Sequence, residues 1–130
     1  MTAFLLGAAD LFLLVTHLAV VLFNLFGWIW LRTRRWHRIC VGLTLFCWLG
    51  AGLAVGTIGY CPLTDWHWQV KEAQGAGPLP DSFIDYVLQM VGVHLGAEAV
   101  YGLTAGAFAL VVVITLGLWV WERFKAAPQG

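Results

Sequence analysis

The sequence predicts an all-α integral membrane protein, with three transmembrane helices and two short amphipathic interfacial helices on the periplasmic side. Three observations carry that prediction. The 130 residues are 61% hydrophobic and 11% charged, with a mean hydropathy of +0.82, against about 45–50% apolar and about 25% charged in soluble domains. Three apolar runs each reach the length of about 20 residues that crosses a bilayer. The basic residues cluster at the ends of those runs. The length fits one domain, residues 1–130. A formal net charge of zero leaves no basic footprint for phosphate backbones, so nucleic acid is excluded as a partner. No enzyme signature stands out.

The first span is read over Leu5–Leu31, interrupted only by Asp10, His17 and Asn24. It is too long for a signal peptide and has no basic leading segment. The second covers Ile39–Tyr60, ended by Cys61-Pro62, and the third Glu98–Trp121. Between them lies an interfacial segment, residues 62–97. Thr64 or Asp65 is expected to cap a first short helix through Ala73, which the Gly/Pro-rich stretch Gly75–Pro80 ends. Ser82, with Asp85 three residues on, is a capping-box-like start for a second helix, Phe83–Val93.

Charge gives the orientation. Arg32, Arg34, Arg35 and Arg38 fall between spans one and two, and Arg123 and Lys125 follow span three, whereas Lys71 alone falls on the other side. This six-to-one bias places the N-terminus in the periplasm and the C-terminus in the cytoplasm. Small residues suggest how the spans meet: Gly52 and Gly56 in span two, and Gly102 and Gly106 in span three, have the four-residue spacing of close helix contacts. Either pair equally suits a partner subunit. Cys40, Cys47 and Cys61 are distributed so that no intramolecular disulfide is expected.

Polar residues at depth are costly and face a bundle interior. Asp10, His17 and Asn24 recur every seven residues, on one stripe of span one. With His94, Glu98 and Tyr101, which share a helical face, Asp10 and His17 form a candidate polar cluster; Cys61 adjoins it. Four readings stay open. The cluster is a hydrogen-bonded lock on helix register, a metal site, a haem site with His17 and His94 as axial pair, or a quinone or proton path through His17, Asp10 and Glu98. His67, between two tryptophans, reads as an exposed interfacial anchor, and His37 as a contact for lipid phosphates.

The residues Ala9-Asp10-Leu11 and His17, the loop Cys61-Pro62-Leu63-Thr64-Asp65-Trp66-His67, and Leu79-Pro80-Asp81-Ser82-Phe83-Ile84-Asp85-Tyr86 resemble a family of small bacterial inner-membrane proteins of unknown function. The similarity runs from Asp10 to the end of span three. It implies no activity, but Asp10, His17, Cys61, Pro62, Thr64, Ser82 and Tyr86 match the family pattern, whereas His94 and Glu98 lie outside it. That weights the candidate site toward Asp10, His17 and the Cys61–Thr64 corner.

The function expected is that of a non-catalytic accessory or scaffold subunit of a larger inner-membrane complex, respiratory or photosynthetic, with other membrane subunits and lipids as partners. No cofactor is expected in that case. The alternative is a haem-, metal- or quinone-binding redox protein using His17 with Asp10 or His94. A transporter fits less well, because the chain shows no repeat or paired broken helices.

Overall fold

The structure, a computed structural model, describes residues 2–128 as five helices: α1 (Thr2–Phe26), α2 (Arg34–Val55), α3 (Pro62–Ala73), α4 (Phe83–Met90) and α5 (Ala97–Ala126). Three of them, α1, α2 and α5, are long and apolar enough to cross a membrane. Their limits differ from those read in the sequence, for local reasons. α1 stops at Phe26 because residues 27–33 are tied into a turn. Thr33 Oγ1 donates to the Gly27 carbonyl at 2.7 Å and Arg34 Nε to that of Trp28 at 2.9 Å. Trp28–Leu31 therefore leave the helix, and α2 begins already at Arg34. α5 runs on to Ala126, where Arg123 and Lys125 occupy its last turn and oppose the negative end of the helix dipole.

α2 is not uniform. Its stretch Phe46–Ala51 is a π-helix, and α-helix resumes over Gly52–Val55. The wider turns leave carbonyls unused by the helix, and the Trp48 carbonyl accepts the Gly59 N–H at 3.1 Å. Gly56 ends α2 in a left-handed conformation, φ 80°, that a side chain disfavours. The chain then doubles back so closely that a Cβ on Gly52 would meet the Thr57 carbonyl oxygen at 2.6 Å. The expected pairing of Gly52/Gly56 with Gly102/Gly106 is thus not made. The first two glycines terminate α2, and the second two have open space where a Cβ would stand.

Among the described residues only Val41, Phe83, Val100 and Val111 are buried apolar side chains, while long apolar side chains cover the outside of all three long helices. That inversion suits hydrocarbon, where apolar contact with lipid costs nothing and helices associate through packing and polar contacts. α1 and α2 meet where Asn24 Nδ2 donates to Thr44 Oγ1 at 3.0 Å. Trp48 packs on Phe108, ring centroids 4.8 Å apart, to join α2 to α5. At the far end of that pair, Glu122 is bridged by Arg34 at 2.9 Å and Arg38 at 3.1 Å.

α3 is the element that positions the site. Its N-cap residue is met by His17 and its later turns by Asp10, so it runs antiparallel along α1. Cys61, not Thr64 or Asp65, is the N-cap; Pro62 occupies the first helical position, where its fixed φ and missing N–H do no harm. α4 starts as expected, with the Ser82 hydroxyl accepting the Asp85 N–H at 3.1 Å. It stops at Met90, and Gly92 (φ 84°) turns the chain toward α5. Trp68 Nε1 donates to the Pro80 carbonyl at 2.9 Å and pins the connection between α3 and α4. Ser82→Ala is expected to cost about 1 kcal/mol, read as faster amide exchange confined to the first turn of α4; unchanged exchange there would show the cap to be dispensable.

Candidate functional site

The seven-residue stripe of α1 organises three levels of polar contact. At the first, Asp10 receives two partners from α3. Lys71 Nζ lies 2.8 Å from Oδ2, and His67 Nε2 lies 2.6 Å from Oδ1. His67 is fully buried, while the Asp10 and Lys71 side chains are 22% and 18% exposed. The spacing of four residues between His67 and Lys71 puts both on the face of α3 turned to α1. Burial alone would push the Lys71 ammonium down, but its hydrogen bond to Asp10 and the neighbouring Tyr86 prevail and hold its pKa above the ordinary lysine value. The Tyr86 ring sits 5.5 Å from the ammonium and edge-on to His67 at 5.9 Å, so α4 closes the cluster from the side.

At the second level His17 is buried and stacked on Phe83, with centroids 3.8 Å apart and planes 14° from parallel. Its Nε2 is 3.6 Å from the Cys61 sulfur. The Nδ1 atoms of His17 and of His67 are buried without a hydrogen-bond partner. At the third level Asn24 bonds Thr44, and its carbonyl faces His37 Nε2 at 2.8 Å. Near the start of α3, the Tyr60 hydroxyl donates to Asp65 at 3.0 Å, and that carboxylate holds the phenol above its usual pKa.

Of the residues singled out in the sequence, the structure brings Asp10, His17 and Cys61 to one face of α1. Thr64 is half-buried one turn into α3 and makes no capping bond. His94 is exposed in the connection before α5 and makes no hydrogen bond among the described residues. Glu98 and Tyr101 go elsewhere. They line an open cavity of about 410 Å³ with Thr57, Asp81, Ser82 and Asp85, formed where the α2–α3 turn meets the start of α5. No group of three or more His, Cys, Asp or Glu side chains among the described residues is placed to hold a metal ion.

Two histidines correct the sequence reading. His67 is no exposed anchor; it is completely buried against Asp10. His37 does not face lipid phosphates; it is 1% exposed and bound to the Asn24 backbone. Lys71 and Phe83 were also not assigned to the site. The signal for Lys71 was present, since it is the only cation between the second and third spans and Asp10 the only acid within the first.

Chemically, the upper cluster is a compensated charge group that fastens α3 to α1, and the second level is a thiol against an imidazole. No curated protein and no solved structure matches the chain. Residues 7–121 match the family described as Protein of Unknown function (DUF2784), and this small polytopic membrane protein belongs to that family.

Proposed function

We propose that the protein is a non-catalytic accessory subunit of a larger assembly in the bacterial inner membrane, with its N-terminus periplasmic and its C-terminus cytoplasmic. The observation that carries this reading is the open face of α5. Gly102 and Gly106 sit four residues apart on a 30-residue apolar helix, with nothing within 4 Å of either position where a Cβ would be. Small residues at that spacing let another helix approach closely, and none of the described residues does so. Asp10, meanwhile, is neutralised internally by Lys71, which leaves the charged part of the interior nothing to offer a transported ion.

The orientation rests on the six basic residues grouped against one. Arg34 and Arg38 converge with Glu122 at one end of the bundle, and beyond them Arg123 lies over Trp119 and Lys125 over Trp121. Such cation–aromatic pairs suit the headgroup layer on the side of anionic lipid.

Gly106→Leu is expected to leave the thermal stability of the isolated chain unchanged while reducing the recovery of stoichiometric partner subunits in mild detergent. Gly102→Leu should do the same. Undiminished recovery in both variants would mean that this face meets lipid. A Soret band or stoichiometric metal in the purified chain would replace the accessory reading with that of a redox protein.

A further inference from the structure

The register-lock account explains Asp10, His67 and Lys71 but leaves His17 over. Its imidazole is buried, its Nδ1 meets no partner, and the one hydrogen-bonding contact it makes among the described residues is with a thiol 3.6 Å away. A thiol is a weak hydrogen-bonding group. A buried ring that leaves one nitrogen bare costs more than such a contact returns, so helix register alone is a poor reason to keep a histidine there.

The sulfur's own position is informative. Cys61 is half-buried, unlike the histidine, and is a free thiol. It is the N-cap of a 12-residue helix whose first amides, those of Leu63 and Thr64, have no acceptor within the helix and mark its positive end, although the sulfur makes no capping hydrogen bond to them. A sulfur nucleophile needs a base in contact, a positive end to favour negative charge, and access. All three meet at Cys61. Cys40 and Cys47 lie instead within α2, the former beside Thr44 and neither paired with a histidine.

We propose that Cys61 and His17 form a thiol–imidazole pair that undergoes exchange with disulfides. His17 Nε2 accepts the thiol proton as the Cys61 sulfur attacks one sulfur of the disulfide. The new S–S bond forms, the old one breaks, and the departing thiolate takes the proton back from His17. Cys61 ends oxidised in a mixed disulfide, the other half of the reagent ends as a thiol, and no further oxidant is consumed. Phe83, stacked on the imidazole, fixes the plane of the base.

The test uses the full chain in mild detergent, with Cys40→Ser and Cys47→Ser to leave one thiol, and dithiodipyridine as an uncharged disulfide probe. One pyridinethione should be released per chain, at least about tenfold faster from the folded protein than from the SDS-unfolded one, and His17→Asn should remove most of that advantage, as loss of a general base does. Equal rates with and without His17 would overturn the proposal. So would slower release from the folded chain than from the unfolded one, a comparison that needs no substitution at His17.

Discussion

Asp10→Ala is expected to destabilise the protein by about 3 kcal/mol, more than any other single change on α1. Breaking a buried ion pair by deleting one partner costs about 3–5 kcal/mol because the other charge is stranded, and the residual exposure of 22% and 18% places this pair at the low end. The change also takes the acceptor from the fully buried His67. Asp10→Asn keeps an oxygen for His67 and loses only the charge, so it should cost less. SDS titration gives the magnitude, and amide exchange should show α3 released while α1 and α2 stay protected. A loss below about 1 kcal/mol, the range of exposed pairs, would show that α3 is held by packing alone.

Phe83→Ala is the second large effect, also about 3 kcal/mol, at the lower edge of the range for deleting a buried aromatic ring. Phe83 is 3% exposed and its ring touches both levels of the site, stacked on His17 and 6.2 Å from the His67 ring. No other side chain of α4 is both apolar and buried. Removing it should free α4 as a unit, visible as loss of amide protection over Phe83–Met90. Phe83→Leu, which keeps much of the volume, should cost less than about 1.5 kcal/mol. Equal losses for the alanine and leucine variants would mean that stacking geometry, not filled volume, is what holds the helix.

The three long helices were legible because length and hydropathy report directly on hydrocarbon thickness, and Ser82 because a capping bond is local. His67 was not legible because a histidine between two tryptophans has the local look of an interface residue; what buries it is a carboxylate 57 positions away. His94 and Glu98 misled for the complementary reason. Their four-residue spacing predicts a shared face, but His94 falls in the connection before α5 and Glu98 in that helix's first turn, where it lines a cavity with Asp81 and Asp85. The stripe Asp10, His17, Asn24 was correct as a face, since α1 is regular throughout. Each partner it meets was set by how α2 and α3 return, which no periodicity within α1 encodes.

The antiparallel seat of α3 on α1 also bears on how the protein is made. Asp10 leaves the ribosome 61 residues ahead of Lys71 and 57 ahead of His67. A carboxylate without its counterion is costly wherever water is excluded, and the contact that fastens α3 to α1 can form only once the segment carrying Lys71 has been made. The Arg34–Glu122 contact closes later still, across 88 residues. While the first helix is being made, Asp10 has neither of its partners, and the cation that arrives midway through the chain completes the contact.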